Sequence, residues 1–301
     1  MTLTELRYIV ALAQERHFGK AAAKCFVSQP TLSVAIQKLE EELGVALFER
    51  LRGEVAITDV GERVINQAQR ALDEAEKVKQ IARGGRDQLS EPLRLGVIPT
   101  IAPYLLPELI PRVQKRAPSM VLDIEENLTG ELQAALLSGR LDVLLLALPF
   151  DPPGVDLRPL YDEAFSVVLP SEHPLAKKKQ LRTADLENER VLLLRAGHCL
   201  SDQVLSACGE VIRPNAHEVG YSIETMRQMV AAGLGISVFP ASALARRLES
   251  KLVQTVPFAP PVPHRRVVLA WRKSFTRPAA IDALDEAVRA IRADYFQMIP
   301  A

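Results

Sequence analysis

The hydrophobic pattern of the chain changes its period near residue 89. Before this point, apolar residues recur at helical spacing, whereas after it short apolar runs alternate with helical patterns. Alternation of strands and helices is typical of an α/β domain, and the apolar run over 141–148 suits a strand of a mostly parallel sheet. We therefore expect residues 89–301 to form an α/β domain. It is long enough for two lobes, which we place at about 89–163 with 268–301 and at about 164–267.

The N-terminal part contains three closely spaced helical patterns, over residues 4–16, 18–24 and 28–43. The last two are joined by a short turn, which is typical of a helix-turn-helix. Residues 50–58 then read as a hairpin, which we interpret as a wing. The pattern predicts an all-α winged helix-turn-helix domain over residues 1–58.

Bulk charge gives no support to a nucleic-acid partner, because 37 basic residues balance 37 acidic ones. Local charge does, since the stretch from Arg16 to Leu39 has four basic residues and no acidic one. Polar side chains on the third helix can reach base edges and phosphates when the helix enters the major groove. A small solvated helical bundle is the alternative. The candidate contacts to double-stranded DNA are Ser28, Gln29, Pro30, Thr31, Ser33, Gln37, Lys38, Arg50 and Arg52.

A single long helix is predicted from Thr58 to about Arg86. Its apolar residues follow alternating steps of four and three, which is the pattern of a helix that packs on a partner helix. We assign residues 59–88 as a linker that dimerises, and the alternative is a helix docked on its own chain. The stripe consists of Val64, Ala68, Ala71, Ala75, Val78 and Ala82.

Several classes of protein lack their usual sequence signals here. The chain shows no phosphate-binding glycine loop, no zinc-protease motif and no nucleophile elbow in a supporting context. We therefore expect no cofactor and no metal. No secretory signal or membrane span is visible either, so we expect a cytoplasmic protein with no membrane partner. Its three cysteines are then reduced by default.

The residues FGKAAAKCFVSQPTLSVAIQKLEEELGVALFER at 18–50, with TDVGE at 58–62, resemble the N-terminal domain of LysR-type transcriptional regulators. The order of parts over the whole chain is similar to that family. The resemblance implies a winged helix-turn-helix joined by a long linker helix to a two-lobed effector domain that is periplasmic-binding-protein-like.

The segment at 197–208, GHCLSDQVLSAC, resembles the redox segment of the members of this family that sense hydrogen peroxide. IPT at 98–100, PYLLPELIP at 103–111 and SIETMRQMVAAGLGIS at 222–237 are similar to the same members. The resemblance implies that Cys199 is the peroxidatic thiol and Cys208 the resolving one. It also implies a homotetramer that activates transcription, with RNA polymerase as a partner and a thiol reductant such as glutaredoxin or thioredoxin. Such a protein is not an enzyme.

Apart from the family resemblance, the spacing of Cys199 and Cys208, nine positions apart, does not match the usual spacing of zinc ligands. Cys199 stands at the start of a predicted helix, where backbone N–H groups favour the reactive thiolate. We expect a lowered pKa for this thiol, opposed by Asp202. Cys25 reads as a packing residue. The residues expected to support the peroxide pocket are Thr100, Thr129, His198, Asp202, His217 and Arg265.

Some of these assignments have alternatives. Thr100 and Thr129 precede predicted helices, so they could simply be N-caps. His217 could be a structural histidine, and the spacing leaves Arg266 as an alternative to Arg265. Two other functions also stay open: a LysR-type regulator that binds a small metabolite between its lobes, and a thiol peroxidase with repeated turnover.

The first prediction concerns the third helix. Replacing both Gln29 and Thr31 by alanine should weaken specific operator binding by about 1–3 kcal/mol and relax the sequence preference, because base-reading side chains are lost. Mobility-shift titrations against the operator and an unrelated duplex measure both effects. Unchanged affinity for the operator would contradict the assignment of this helix.

Overall fold

Three helices and a hairpin form the N-terminal part of the computed structural model, which describes residues 1–51, 54–82, 88–208, 219–220, 222–245 and 251–300. A capping box between Thr2 and Glu5 starts the first helix, and the side chains of His17 and Ser28 cap the next two. The elements are α1 (Leu3–Glu15), α2 (Phe18–Lys24), α3 (Gln29–Leu43), β1 (Phe48–Leu51), β2 (Glu54–Ile57) and α4 (Asp59–Ala82).

The long helix α4 packs on the N-terminal domain of its own chain over its first half. Ile65 and Ala68 are buried in the same core as Leu12, Leu32 and Leu39. The apolar stripe predicted for dimerisation is therefore partly used within the chain, since Ala68 is buried and Val64 and Ala71 are half-buried there. Beyond them, Val78 is 66% exposed. The side chain of Ala82 lies outside the described residues.

The remaining elements form the effector domain. The strands are β3 (Leu93–Val97), β4 (Leu122–Glu126), β5 (Val143–Ala147), β6 (Val155–Pro170), β7 (Val191–Leu194), β8 (Val219–Gly220), β9 (Ile236–Pro240), β10 (Val253–Pro257), β11 (His264–Arg272) and β12 (Phe296–Met298). The helices are α5 (Ala102–Arg116), α6 (Thr129–Leu137), α7 (Cys199–Cys208), α8 (Ile223–Ala231) and α9 (Pro278–Arg289), with short 3-10 turns at Pro174–Lys177, Thr183–Leu186 and Ala241–Leu244.

The strands pair in the order β4-β3-β5-β11-β6-β9-β7-β8, and β10 and β12 also pair with β6. The expectation of mostly parallel sheets is wrong at the centre of this order. β6 and β11 run antiparallel to each other and to their other partners, whereas the β3 and β7 pairs are parallel. The reason is that β6 and β11 are the two strands that cross between the lobes.

Two hydrophobic cores lie on either side of this crossing. Along β6, Tyr161 belongs to the first core and Phe165 to the second, so the chain passes between the lobes over these few residues. On β11, Val267 is again in the first core. The two-lobed α/β architecture expected from the sequence is confirmed.

The linker helix is docked on the effector domain through Asp73. Its Oδ2 atom accepts hydrogen bonds from Arg272 Nε at 3.1 Å and from Ser274 Oγ at 2.9 Å. Arg272 is buried, and its Nη1 atom also donates to the carbonyl oxygens of Leu136 and Leu141. The end of β11 therefore holds both α4 and the C-terminus of α6.

A second contact joins the helix-turn-helix to the same region. Gln14 Nε2, on α1, donates to the carbonyl oxygen of Ser138 at 3.1 Å. Ser138 caps the C-terminus of α6. Helix α6 thus reaches from the effector domain to the N-terminal domain of the same chain.

Where the chain enters the effector domain, Arg277 binds three backbone carbonyl groups. Its guanidinium donates to the carbonyl oxygens of Gln88, Glu91 and Pro92 at 2.6–2.8 Å. Burial lowers the pKa of this side chain, and the nearby carboxylates of Glu91 and Asp142 oppose that effect.

In the described part of the chain, we find no helix long and apolar enough to cross a membrane.

The docking contact predicts the effect of Asp73→Ala. The variant leaves the buried Arg272 guanidinium without its carboxylate, which should lower the free energy of unfolding by about 2–3 kcal/mol. Urea unfolding followed by the fluorescence of Trp271, the single tryptophan of the sequence, reports on this region. Asp123→Ala, an exposed carboxylate in the same cleft, is the control. Equal stability of the two variants would show that the contact does not hold the helix.

Candidate functional site

Cys199 is the first residue of α7, directly after a tight turn. Gly197 has φ of 96°, a conformation that favours glycine, and a Cβ atom there would stand 3.0 Å from the side chain of Leu128. Ser201 Oγ donates to the carbonyl oxygen of Leu194 at 2.7 Å, which ties the first turn of α7 to the end of β7. The N–H groups of this turn point toward the thiol end of the helix, where they favour negative charge.

The Cys199 side chain faces the other lobe. It is half-buried and packs against the core of the first lobe, although α7 belongs to the second. No point in the surrounding cleft is wide enough for a water molecule. The thiol is therefore enclosed between the lobes by a lining made of Ile98, Pro99, Thr100, Leu128, Thr129, Gly197 and His198.

Thr129, the first residue of α6, brings a hydroxyl to the thiol. This hydroxyl lies close enough to Cys199 to lower the thiol's pKa by hydrogen bonding. The contact satisfies Oγ1 only in part, because the atom is buried and no hydrogen bond to it meets full geometric criteria. Buried polar atoms normally have partners, so the site holds an incompletely satisfied donor and acceptor beside the sulfur.

Arg265 is completely buried between the crossing strands. Its Nε atom donates to Glu163 Oε2 at 2.8 Å, and its Nη1 and Nη2 atoms donate to Thr100 Oγ1 at 2.9 Å and Thr100 O at 3.0 Å. The other oxygen of Glu163 accepts the backbone N–H of Ser242 at 2.6 Å. Thr100 is therefore held by an arginine and does not cap α5, whose N-cap is Ile101.

Arg266 points the other way. It is largely exposed and makes two hydrogen bonds of 2.8 Å to Asp162, a pairing that lowers the pKa of that carboxyl. The geometry thus places Arg265, and not Arg266, beside the thiol pocket.

The expectation of a lowered thiol pKa is wrong for this conformation. Burial raises the pKa of Cys199, and the hydrogen bond from Thr129 and the charge of Arg265 only partly oppose it. Asp202, which is exposed, raises it further by like charge, as the sequence suggested. Burial and the nearby charge of Arg195 lower the pKa of His198, so this imidazole is neutral at pH 7. His198 can accept a proton but cannot stabilise a thiolate by its own charge.

Gln203 is a residue that the sequence reasoning missed. It lies one turn after Cys199 on α7, and its Nε2 atom donates to the carbonyl oxygen of Leu148, just after β5, at 2.7 Å. Its Oε1 atom is buried without a partner among the described residues. A glutamine on a helix surface gives no sequence signal for such a tie between lobes.

A larger groove also borders α7. About 1080 Å³ of it is open to water, and Asp202, Gln203 and Ser206 line it together with residues 260–266.

Cys208 ends α7, but its side chain, like all of His217, lies outside the described residues. Cys25 follows α2 and is half-buried; burial raises the pKa of its thiol, which disfavours the reactive form.

The predicted DNA contacts lie at the start and along the outer face of α3. Ser28 caps the N-terminus of α3. Its Oγ accepts the Thr31 N–H at 3.3 Å, and its hydroxyl forms a hydrogen bond of 2.7 Å with the hydroxyl of Thr31. Ser33 is half-buried, whereas the other members whose side chains are described are exposed: Ser28, Gln29, Pro30, Thr31, Gln37 and Lys38. Arg50 lies on β1 with its side chain outside the described residues, and Arg52 lies outside them altogether.

The wing is tied to α3 by Glu40, which sequence reasoning also missed. Its Oε1 atom accepts the backbone N–H groups of Leu47 and Phe48 at 2.7 and 3.1 Å. This carboxylate fixes the position of the hairpin relative to the third helix.

The pKa balance predicts how the thiol responds to loss of the Thr129 hydroxyl. Thr129→Val should raise the pKa of Cys199 further, so that less thiolate is present at neutral pH. Loss of one such hydrogen bond should slow alkylation by iodoacetamide about fivefold at pH 7, and the pH–rate profile should move to higher pH. Thr129→Ser keeps the hydroxyl and is the control. Identical pH–rate profiles for wild type and Thr129→Val would show that the Thr129 hydroxyl does not act on the Cys199 thiol.

Comparisons with known proteins agree with this architecture. Residues 3–62 match the bacterial regulatory helix-turn-helix protein model of the lysR family, and residues 86–292 match the LysR substrate binding domain. The chain is 39% identical over 300 residues to the DNA-binding transcriptional dual regulator OxyR of Escherichia coli, covering 99% of this chain and 98% of that protein. It is 40% identical over 291 residues to a probable hydrogen peroxide-inducible genes activator of Streptomyces viridosporus, with 96% and 93% covered.

Solved structures are similar as well. A full-length OxyR variant from Pseudomonas aeruginosa superimposes with a TM-score of 0.89 at 46% identity, covering 100% of this chain and 99% of that one. An OxyR mutant from Corynebacterium glutamicum with hydrogen peroxide bound gives a TM-score of 0.65 at 37% identity, with 96% and 91% covered.

Proposed function

The chain belongs to the LysR family of transcriptional regulators, and we propose that it is a DNA-binding regulator switched by hydrogen peroxide at Cys199. The observation that carries the proposal is the enclosed thiol beside the incompletely satisfied hydroxyl of Thr129, in the cleft between the two lobes. The names of its relatives, which include hydrogen peroxide-inducible genes activators, support the same function.

The first chemical step is oxidation of the thiol. The Cys199 thiolate attacks one oxygen of hydrogen peroxide, a sulfur–oxygen bond forms, the oxygen–oxygen bond breaks, and the leaving hydroxide takes a proton to become water. Thr129 can donate a hydrogen bond to the peroxide, and neutral His198 can accept the thiol proton. A bound peroxide would supply the partner that Thr129 lacks.

The second step joins the two cysteines. The Cys208 sulfur attacks the sulfenic sulfur of Cys199, a disulfide forms, and the hydroxyl leaves as water. A dithiol reductant, such as glutaredoxin or thioredoxin, returns the pair to thiols. Each oxidation consumes one peroxide and leaves the regulator in an altered state until it is reduced, so the protein acts as a stoichiometric sensor and not as an enzyme.

The helix α7 must open before the second step. Its two cysteines are nine positions apart, which at 1.5 Å per residue separates their α-carbons by about 13–14 Å and turns them to opposite faces. A disulfide requires α-carbons within about 7 Å. Opening also breaks the Gln203–Leu148 hydrogen bond and removes Leu200 and Val204 from the core of the second lobe. The disulfide therefore selects a second arrangement of this lobe.

The change has a short route to the DNA-binding domain. Thr129 begins α6 beside the thiol, and Ser138 ends it at the contact with Gln14 on α1. The carbonyl oxygen of Leu136, in the last turn of α6, accepts a hydrogen bond from Arg272, which also donates to Asp73 of the linker helix. Movement of α6 is thus communicated to both parts of the N-terminal domain.

The assembly is a homotetramer, a dimer of dimers on double-stranded promoter DNA, which contacts RNA polymerase to activate transcription in the cytoplasm. Support for the linker interface comes from Val78, which stays exposed on α4 after the helix has packed on its own chain.

A second candidate is a LysR-type regulator that responds to a small metabolite. The groove beside α7 favours it, because about 1080 Å³ is ample for such a ligand. In that case Cys199 is dispensable for induction. A thiol peroxidase, the remaining alternative, would turn over repeatedly with a reductant.

Treatment with about one equivalent of peroxide separates these functions. Peptide mass spectrometry should find Cys199 linked to Cys208, and hydrogen exchange should increase over residues 199–208 because α7 has opened. Cys199→Ser should abolish both changes and the transcriptional response, whereas Cys25→Ser, the matched control, should leave them intact. Absence of the linkage, or a normal response in Cys199→Ser, would refute the switch. Rapid, sustained turnover with excess peroxide and a dithiol reductant would instead indicate a peroxidase.

A further inference from the structure

The turn between α2 and α3 holds a phenylalanine in a backbone conformation that normally selects glycine. Phe26 has φ of 57°. Its N–H donates to Ala23 O, and the next residue, Val27, donates to Ala22 O, which is the hydrogen-bond pattern of a helix end that places a left-handed residue at this position. A Cβ atom is disfavoured there because it approaches the following carbonyl oxygen.

The ring of Phe26 gains nothing from the fold in return. The side chain is 96% exposed, so it makes almost no contact with the described part of the chain. Single exposed hydrophobic residues are common on protein surfaces. Phe26 differs because an unfavourable backbone conformation and an unfavourable exposure fall on the same residue, and glycine would relieve both. A ring kept under these conditions indicates a partner outside the chain.

A second apolar residue lies on the outer face of α3. Val34 is 65% exposed, one helical turn after Pro30 and one turn before Lys38, which are exposed as well. Valine is also a weaker helix former than the polar residues that usually occupy such a face. The face that points away from the core of the domain therefore has an apolar centre.

Double-stranded DNA is the partner that this location favours. Phe26 and Val34 fall within the stretch from Arg16 to Leu39 that contains no acidic residue. Phe26 also stands two residues before Ser28, the cap of α3, so it lies next to the end of the helix that carries the predicted DNA contacts. Among the groups that base pairs present in the major groove, the thymine methyl is the apolar one.

We propose that Phe26 and Val34 contact thymine methyl groups of the operator and so set part of its sequence preference. The inference rests on the DNA-binding function proposed above and is independent of the redox switch. It adds apolar contacts to the polar ones predicted for the start and outer face of α3.

Replacing thymine by uracil tests this directly, because the exchange removes only the methyl group. The operator is first selected from random duplexes by the wild-type protein, and each thymine is then replaced in turn. Wild type should lose about fourfold in affinity at each contacted thymine, the effect of burying one methyl group. Val34→Ala and Phe26→Gly should bind the thymine operator more weakly and lose the sensitivity to uracil at one thymine each.

Two controls keep the outcome clear. Phe26→Gly relieves the backbone conformation, so weaker binding cannot be ascribed to a destabilised turn. Val121→Ala removes a similarly exposed side chain, 62% exposed, from the effector domain and should change nothing. If both recognition-surface variants keep the uracil sensitivity of wild type, the proposal is wrong. Normal binding by Phe26→Gly with lost activation in purified transcription would also overturn it for Phe26, since the ring then contacts RNA polymerase. A failed redox switch leaves this test unaffected.

Discussion

The buried ion pair between Arg265 and Glu163 is the contact on which the architecture of the effector domain depends. Both side chains are fully buried, on the two strands that cross between the lobes. A buried charge is tolerated only when it is paired and hydrogen-bonded. The pair meets this requirement by recruiting the loop after β3, through Thr100, and the turn after β9, through Ser242. Four segments from both lobes are thereby held around one cluster of charges, and the thiol lies at its border.

The helical half of the fold follows closely from the sequence, because caps and apolar spacing are local signals. Helix α3, for example, begins directly after Ser28, as its cap predicts. The first half of β6 carries a weak strand signal in the sequence, because charged residues such as Asp156, Arg158 and Asp162 interrupt its apolar pattern. Two of these charges are paired in the structure, Arg158 with Asp282 of α9 and Asp162 with Arg266 of the neighbouring strand. Such pairing is a property of the tertiary structure.

The site shows the same division between local and tertiary information. Cys199, Thr129 and the arginine pair could be proposed from sequence, but the choice between Arg265 and Arg266 depends on which face of β11 is inward. The pairing of β11 with β6 shifts register between Val267 and Val268. The alternation of inward and outward side chains therefore cannot be extended from the later residues of β11 back to the two arginines. The sign of the Cys199 pKa shift was mispredicted for a related reason. A helix N-terminus is visible in sequence, whereas burial against the opposite lobe, the larger effect, is not.

The position of α6 limits how far the two halves of this chain can be treated as interchangeable modules. One end of this nine-residue helix belongs to the thiol cleft, and the other meets α1 and shares Arg272 with the linker helix. A chimera that joins this DNA-binding domain to another effector domain of the same fold would keep the chain connection and lose these complementary surfaces. The contacts of Gln14 and Asp73 must therefore vary together with the end of α6, so the specificity of signal transfer is encoded across the domain boundary and not within either domain.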